Sequence, residues 1–206
     1  EGPNTIAAIL IESVVGTAGV LIPPKGYLEG VRALCDKYAI IWIADEVMCG
    51  FGRTGKWFAY QHSSASPDLI VFAKGVNSGY VPLGGVVISD AIAATFDQQV
   101  FPGGLTYSGH PLACAAAVAT LKVMEDEKIV ENAAEVGEKV IGPALRELAK
   151  KHKAIGEVRG LGVFWALDLV SDRKTREPLA PYGASSPAMN ELVAATKKLG
   201  VFPFTN

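Results

Sequence analysis

The sequence is poor in the residues that build disulfide frameworks and metal centres. Its three cysteines lie far apart and include no Cys-x-x-Cys pair: Cys35, Cys49 and Cys114. Its three histidines show none of the spacings with which proteins ligate zinc. We therefore expect no metal site, and we expect the cysteines to be reduced thiols of a cytoplasmic protein.

A strong charge imbalance and long apolar runs are also missing. The 206 residues include 19 Lys and Arg against 21 Asp and Glu, which gives a net charge of −2. This balance offers no electrostatic attraction to nucleic acid or to an anionic membrane. No apolar run is long enough to span a membrane, and the first residues lack the apolar core of a signal peptide. Because the chain opens without Met and stops abruptly, we expect it to be an incomplete portion of a longer polypeptide.

Short apolar runs separated by amphipathic stretches predict an α/β protein. Strands are predicted over residues 5–13, 40–45, 69–73 and 85–89. Helices are predicted over 26–38, over 91–96 with Asp90 as the cap, over 111–125, and over 128–153 with an interruption at Gly142-Pro143. The strand–helix–strand order at the start implies a right-handed crossover and a parallel sheet.

The character of the sequence changes near residue 126, where an alanine-rich stretch gives way to one dense in Glu and Lys. Beyond this point we expect a strand pair or one bent strand over 156–170, a helix over 188–199 and a strand at Val201-Phe202. We therefore place a domain boundary there, with residues 1–125 in a first domain and 126–206 in a second.

Charged residues follow two neighbouring strands of the predicted sheet. Asp45-Glu46 comes directly after the apolar run 40–44, and Lys74-Gly75 comes directly after the run 69–73. Open α/β sheets bind their ligands at the carboxyl ends of the strands. We therefore expect Asp45 and Lys74 to meet at one edge of the sheet.

An acid and a lysine at such an edge suggest a specific chemistry. Partial burial lowers the pKa of an amine and makes it nucleophilic, as Schiff-base formation requires. A carboxylate opposite Lys74 keeps a pyridinium nitrogen protonated, which is the arrangement of a pyridoxal phosphate (PLP) site. Val47 would offer the flat ring a branched apolar face. The plainer alternatives are a solvated lysine and an ordinary carboxylate at the end of a strand.

The turn between these strands contains three glycines that match the pattern G-x-G-x-x-G at residues 50–55. Asp68 follows at about the distance of the acidic residue that binds ribose in dinucleotide-binding proteins. Two features argue against this interpretation. The segment 56–62 is too short for the helix that should hold the pyrophosphate, and the carboxylates that end the preceding strand would repel phosphate.

Two further polar residues are candidates on local sequence alone. Thr106 shortly precedes the predicted helix start at Pro111, where backbone N–H groups and the helix dipole favour an anion. An ordinary loop threonine is the alternative. Arg159 has the chemistry to bind a carboxylate, but an arginine at the start of a strand is more often a surface or ion-pair residue, so we assign it no role.

The motifs taken together resemble those of the class III aminotransferases, the ω-amino-acid branch of the fold-type I PLP-dependent enzymes. The resemblance rests on residues 45–55 (DEVMCGFGRTG), 67–69 (PDL), 74–75 (KG) and 106–111 (TYSGHP). Glu12, near the end of the first predicted strand, also resembles an acid of the family. The resemblance extends over nearly the whole chain. Met48-Cys49 departs from the Gln-Thr of ornithine- and acetylornithine-type members and is similar to the ω-amino-acid:pyruvate and amine subgroup.

This resemblance implies a fold and a cofactor. Residues 1–125 would belong to a large PLP-binding domain, with a mostly parallel sheet and helices on both faces. Residues 126–206 would belong to a smaller α+β C-terminal domain. The phosphate-binding loop and the substrate-carboxylate arginine of the family would fall outside this chain.

The resemblance also implies roles for five residues. Lys74 would bind PLP covalently, Asp45 would pair with the pyridine nitrogen, and Val47 would pack on the ring. Glu12 would be a further residue of the cofactor site. Thr106 would bind the cofactor phosphate of the partner subunit, so that the active unit would be a homodimer.

The implied function is transfer of an amino group from an ω-amino acid or primary amine to a 2-oxo acid such as pyruvate, with ping-pong kinetics through pyridoxamine phosphate. One alternative is another PLP reaction on the same fold, such as that of a decarboxylating transaminase or an aminomutase. A second alternative, from a different class, is a nucleotide-binding α/β module without catalytic activity.

Overall fold

The computed structural model describes residues 2–205 and contains two β-sheets with helices around them. The strands are β1 Ala8–Glu12, β2 Ile41–Asp45, β3 Leu69–Phe72, β4 Gly85–Ile88, β5 Ile155–Leu161, β6 Phe164–Asp172 and β7 Glu177–Pro178. The α-helices are α1 Tyr27–Tyr38, α2 Asp90–Ala93, α3 Pro111–Asp126, α4 Ile129–Val136, α5 Gly142–Lys151 and α6 Pro187–Lys198. Short 3-10 turns span Pro3–Thr5, Ala59–His62, Lys74–Asn77 and Ala94–Phe96, and a π turn spans Gly137–Ile141. Within residues 2–205, no helix has both the length and the apolar character needed to cross a membrane.

The first sheet has the strand order β1-β2-β3-β4. Strands β1, β2 and β3 are parallel, and β4 runs antiparallel to β3. Strands β1 and β2 are parallel and α1 lies between them in the sequence, which confirms the predicted strand–helix–strand order and the parallel pairing. In this register Glu12 lies opposite Asp45, and Asp45 lies opposite Val71. The carboxyl ends of three strands therefore meet at one edge.

The core beneath this sheet comes from the packing of α1 on β2. Leu28 and Cys35 of α1 are buried together with Ile40 and Trp42, and Trp42 is 0% exposed. At the opposite end of the strands from Asp45, the Asp68 carboxylate accepts hydrogen bonds from Arg32 Nη1 and from the backbone N–H of Trp42, both at 2.8 Å. Asp68 thus links α1, β2 and the start of β3.

The three cysteines are free thiols. Cys49 is fully buried, and its Sγ donates a hydrogen bond to the carbonyl of Val14 at 2.8 Å. Burial raises the pKa of the Cys49 thiol to about 12. Because reactivity requires the thiolate, Cys49 is an inert core residue near neutral pH.

The second sheet is antiparallel, with the order β5-β6-β7. The stretch predicted as a strand pair or one bent strand is a pair, joined by a tight turn at Gly162-Val163. The π turn joins helices α4 and α5 and interrupts their α-helical geometry, and α5 packs on β5.

Three predicted boundaries are wrong, each for a local reason. Asp90 is the first residue of α2 and not its cap, because Ser89 has the extended backbone of the cap position. The long helix is interrupted by the π turn at 137–141 and not at Gly142-Pro143, because a proline in the first turn of α5 needs no N–H partner. No strand forms at Val201-Phe202, because the Val201 N–H is bonded to the carbonyl of Thr196 at the end of α6.

The two sheets are joined by close contacts between backbone segments. A Cβ at Gly162 would lie 2.4 Å from the carbonyl carbon of Thr54, and a Cβ at Gly137 would lie 1.8 Å from the carbonyl oxygen of Gly162. The Val163 N–H donates to the carbonyl of Arg53 at 3.0 Å. We call this three-way contact of the Arg53–Gly55 turn, Gly137 and Gly162 the glycine joint. It has no room for side chains at Gly137 or Gly162.

Replacing Gly162 by alanine should therefore be strongly destabilising. Gly162 has a φ of +55°, and the added Cβ would collide with backbone. Gly183 is the matched control, since its φ is +72° but nothing lies within 4 Å of an added Cβ. We expect Gly183→Ala to cost about 1–2 kcal/mol from its backbone conformation alone, and Gly162→Ala to cost roughly 3 kcal/mol or more.

Urea unfolding of the full-length protein measures both free energies of unfolding. Equal losses for the two variants would show that the glycine joint yields without strain, contrary to this prediction.

Candidate active site

Four of the five predicted site residues lie at or just beyond the carboxyl edge of the first sheet. Glu12 and Asp45 are the last residues of β1 and β2 and are register partners. Val47 follows Asp45 by two residues. Lys74 lies two residues beyond the end of β3, on the other side of β2 from Glu12. The structure therefore brings an acid and a lysine to the ends of adjacent strands, as the sequence predicts.

Asp45 is half-buried and is held by its own turn. Its Oδ1 accepts a hydrogen bond from the backbone N–H of Val47 at 3.0 Å. Among residues 2–205, no hydrogen bond reaches its second carboxylate oxygen. One oxygen thus orients the carboxylate, while the other remains available to a ligand.

Glu12 is also half-buried, and it is engaged with its own loop. Its Oε2 accepts a hydrogen bond from the N–H of Gly16 at 2.9 Å. The side chain of Met48 covers Gly16, where an added Cβ would lie 3.1 Å from the Cβ of Met48. Glu12 thereby shapes the loop after β1 that lies beside the turn of Val47.

Lys74 differs from expectation in its surroundings. We expected a half-buried amine directly at the end of a strand, but β3 ends at Phe72 and the Lys74 residue is exposed. The reason is that Lys74 opens a 3-10 turn instead of ending the strand, with a φ of +44°. This left-handed conformation costs a residue with a Cβ roughly 1–2 kcal/mol. Such strain at a lysine beside a sheet edge is typical of functional sites.

Buried residues anchor the turn that carries Lys74. Val76 and Asn77 are both buried. The side-chain amide of Asn77 donates to the carbonyl of Val81, and its Oδ1 accepts from the N–H of Gly79 at 3.2 Å. Helix α3 packs against the same turn. The lysine is therefore exposed, but the backbone that carries it is fixed on one side.

Thr106 does not belong to the strands or strand ends that carry the other four predicted residues. It is in the exposed segment 97–110 that leads into α3, inside a turn closed by a hydrogen bond from the Ser108 N–H to the carbonyl of Leu105. Within residues 2–205 its side chain makes no hydrogen bond. The structure therefore leaves its hydroxyl open to a ligand, and no hydrogen bond among residues 2–205 links it to Lys74 or Asp45.

Arg159, to which the sequence analysis gave no role, has its hydrogen-bonding groups occupied. Its Nε and Nη2 both donate to the carbonyl of Gly19, at 3.1 and 3.0 Å, and its Nη1 lies 2.9 Å from the carboxylate of Glu157. The guanidinium thus ties β5 to the loop after β1.

The glycine-rich turn serves packing, and its geometry does not fit a dinucleotide site. An added Cβ at Gly50 would lie 2.8 Å from the carbonyl of Glu46, and one at Gly55 would lie 2.9 Å from the Cα of Ala134 in α4. A short 3-10 turn follows instead of the helix that should bind the pyrophosphate. Asp68, the supposed ribose ligand, lies at the other end of the strands and is bonded to Arg32.

The sequence analysis missed the part played by Glu46. This side chain is 0% exposed, and its carboxylate accepts hydrogen bonds from Ser13 Oγ at 2.6 Å and from the N–H groups of Ala59 and Tyr60 at 2.8 Å each. Burial raises the pKa of Glu46, and the three donors oppose that shift. Glu46 directly follows β2 and continues the buried face of Trp42 and Ala44, and all three residues are 0% exposed. The sequence did not reveal which face is buried, because residues 40–44 are apolar at every position.

The backbone of Glu46 forms a further hydrogen bond, to β3. Its N–H donates to the carbonyl of Val71 in β3 at 2.9 Å, while its side chain holds Ser13, the residue after β1. Glu46 therefore links the ends of all three parallel strands at the residue next to Asp45.

Comparison with known proteins identifies the family. The family model described as "Aminotransferase class-III" matches residues 1–205. The chain belongs to the class-III aminotransferase family.

Relatives within this family act on several amines. The taurine–pyruvate aminotransferase of Bilophila wadsworthia is 39% identical over 206 residues, which cover 97% of this chain and 44% of that protein. The putrescine–pyruvate aminotransferase of Pseudomonas aeruginosa is 43% identical over 183 residues, which cover 88% of this chain and 40% of that protein. This class-III aminotransferase chain thus spans less than half the length of these curated relatives.

Solved structures confirm the predicted α/β fold of type I. The taurine:2-oxoglutarate aminotransferase from Bifidobacterium kashiwanohense, in complex with PLP and glutamate, superposes with a TM-score of 0.94 at 50% identity, covering 100% of this chain and 46% of that one. The PLP-bound amine transaminase from an uncultivated Pseudomonas species gives a TM-score of 0.89 at 40% identity, covering 98% and 46%.

The role of Glu46 is testable through stability. In Glu46→Gln, the amide NH2 would replace one acceptor oxygen and face a donor, so we expect a loss of roughly 2–4 kcal/mol in the free energy of unfolding. Glu131→Gln in α4 is the control, because Glu131 is exposed, and its effect should stay within about 0.5 kcal/mol. Urea unfolding of the full-length protein gives both values. A Glu46→Gln protein as stable as the control would refute the structural role.

Proposed function

We propose that this protein is a PLP-dependent aminotransferase that transfers an amino group from a primary amine or ω-amino acid to a 2-oxo acid. The observation that carries the proposal is the placement of Asp45 and Lys74 at the ends of adjacent strands, in a chain of the class-III family. That edge is where open α/β sheets bind their ligands.

The residues present fit PLP by the chemistry of their side chains. PLP needs an amine for its aldehyde carbon, an anion for its pyridinium nitrogen and an apolar contact for its ring. Lys74 offers an exposed amine, and Asp45 has a carboxylate oxygen without a partner among residues 2–205. Val47, beside Asp45, is half-buried and offers a branched apolar side chain.

When bound, PLP draws electrons from the substrate carbon that bears nitrogen. Lys74 Nζ would hold the cofactor covalently until a substrate amine replaced it, and it would then serve as the base for the proton on this carbon. The charge of Asp45 would keep the ring nitrogen protonated. Its Oδ1 is already fixed by the Val47 N–H, so little reorganisation is needed.

The substrates we propose follow those named for the relatives. Those relatives include a taurine–pyruvate, a putrescine–pyruvate and a 5-aminovalerate aminotransferase. In each named donor the amine is on a terminal carbon. We propose a donor of this kind, with pyruvate as the acceptor.

We also propose that the protein is a homodimer in which Thr106 binds the cofactor phosphate of the partner subunit. The segment around Thr106 exposes large apolar side chains that a monomer seldom leaves in water: Val100, Phe101, Leu105, Tyr107 and Leu112 are 62–90% exposed. A second copy of the protein would cover these side chains. The Thr106 hydroxyl of one subunit would then reach the cofactor site of the other subunit.

Two coarser proposals complete this assignment. We propose that residues 1–125 are part of a large cofactor-binding domain and that residues 126–206 are part of a small C-terminal domain. The two separate sheets support this division, as does the left-handed Lys128 between α3 and α4. We also propose a cytoplasmic location, which the three free cysteines support.

The covalent role of Lys74 is directly testable. Full-length protein with added PLP should develop visible absorbance, and borohydride should fix the cofactor to a peptide that contains Lys74. Lys74→Ala should abolish this fixation and transamination, whereas Lys56→Ala, at an exposed lysine of the glycine-rich turn, should retain both. Fixation of PLP to another lysine, or no fixation in the folded parent protein, would contradict the proposal.

The role of Asp45 is tested by Asp45→Asn. This substitution should lower kcat by about 100-fold or more, because it removes the negative charge that pairs with the ring nitrogen.

Product analysis separates transamination from other PLP reactions. Amine consumption should require pyruvate or 2-oxoglutarate and should yield the corresponding amino acid in equal amount. Turnover without a 2-oxo acid would instead indicate a reaction such as an amine shift within one substrate. Comparing the two acceptors at equal concentration tests the choice of pyruvate.

The partner role of Thr106 is testable by subunit mixing. Thr106→Ala should raise the Kd for PLP by roughly tenfold, because it removes one hydrogen bond to a charged phosphate. Thr95→Ala is the control, since the Thr95 hydroxyl already bonds to the carbonyl of Ile92. In mixed dimers of Lys74→Ala and Thr106→Ala subunits, one of the two sites would combine an intact Lys74 with an intact Thr106.

At limiting PLP, such a mixture should therefore show activity that neither variant shows alone. If mixing restores nothing while the mixed dimers form, Thr106 does not serve the partner's site.

A further inference from the structure

We infer that Phe51 is a positioning residue for Lys74, an inference that rests on the proposed function. The side chain of Phe51 contacts the chain on both sides of the lysine. Its ring packs edge-on against that of Phe72, with 5.6 Å between centroids. Its Cβ lies 2.8 Å from where a Cβ of Gly75 would be. Phe72 and Gly75 are the last strand residue before Lys74 and the residue directly after it.

The absence of a side chain at Gly75 is what allows this close contact. The same position faces the carbonyl oxygen of Gly50 at 3.4 Å. The turn of Lys74 therefore lies directly on the glycine-rich turn, with no side chain of its own between them. Any movement of Phe51 is transmitted to the backbone next to the lysine.

Phe51 is itself firmly held. Its backbone has a φ of +58°, and its N–H donates to the carbonyl of Trp57 at 2.6 Å. Its ring also packs edge-on against Phe58, with 5.3 Å between centroids. A phenylalanine fixed in this way can support a neighbouring turn that is strained.

Lys74 needs such support because of its own conformation. Its φ of +44° is unfavourable for a residue with a Cβ and persists only where surrounding contacts impose it. On the far side of the turn, Asn77 supplies part of that constraint through its bonds to Val81 and Gly79. Phe51 supplies the constraint on the near side. The lysine amine therefore extends from a fixed backbone. Only the four-carbon side chain of Lys74 has to become ordered when it binds PLP.

The test measures how fast the lysine captures PLP in the full-length protein. The rate constant follows from visible absorbance, and borohydride fixation verifies the peptide. Phe51→Ala should slow covalent capture by about 10- to 100-fold, because misplacement of a reacting group by about 1 Å has effects of this size. Gly75→Ala should slow it as well, since the added Cβ would push the turn away from Phe51.

Phe164→Ala is the matched control. Phe164 is another half-buried phenylalanine, it packs on a buried cluster with Val14 and Cys49, and it contacts neither flank of Lys74 within the described residues. It should lose stability in urea to a similar degree while capturing PLP at the parent rate. Phe51→Leu, which retains the Cβ and most of the bulk, should fold and show an intermediate rate if Phe51→Ala does not fold.

The outcomes distinguish a failure of the inference about Phe51 from a failure of the proposed function. If Phe51→Ala and Phe51→Leu capture PLP at the parent rate, or if Phe164→Ala slows capture equally, Phe51 does not position the lysine, although Lys74 remains the PLP-binding residue. If the parent protein does not capture PLP at Lys74 at all, the proposed function itself fails.

Discussion

The in-register parallel pairing of β1, β2 and β3 is the constraint on which the candidate site depends. It brings the last residues of β1 and β2 together with the turn after β3, so Glu12, Asp45 and Lys74 share one edge. Glu46 secures that edge, because its carboxylate and N–H reach Ser13 and Val71. A buried carboxylate without donors would be costly, but this one has three. The residue next to Asp45 is thus structural, whereas the proposed function gives Asp45 itself a chemical role.

The sheet edge was predictable because it follows from short-range rules. An apolar run that ends on a charged residue indicates a strand end, and parallel strands place such ends together. The positions of Asp45, Val47 and Lys74 relative to the strands required nothing more. The burial of Glu46 was not accessible in this way, because residues 40–44 are apolar at every position and show no alternation, and the identity of its donors was not accessible either. Ser13, Ala59 and Tyr60 come from distant segments whose meeting depends on the tertiary fold.

The remaining differences arise where tertiary contacts override local pattern. The sequence predicts that β3 continues through residue 73, directly before Lys74, yet the strand ends at Phe72, where Phe51 and α3 contact the turn that follows. The helix from 128 is interrupted at the π turn because Gly137 must approach Gly162, a residue from a different element. The three glycines at residues 50–55 match the dinucleotide-binding motif in residue type and spacing but not in structure. In the structure they allow close packing against neighbouring segments such as α4, a contact that the sequence pattern alone does not predict.

The glycine joint has a consequence for how this chain tolerates sequence change. The contacts that set the second sheet against the first run between main-chain atoms of the Arg53–Gly55 turn, Gly137 and Gly162. Side chains of β5 and β6 add to that relation, as Arg159 does through the carbonyl of Gly19 and Phe164 does through the buried cluster of Val14 and Cys49. A side chain of β5 or β6 can be exchanged for another of similar size, whereas any side chain at Gly137 or Gly162 would collide with main-chain atoms. A few invariant glycines would then be the mark of a lineage whose surrounding residues differ widely.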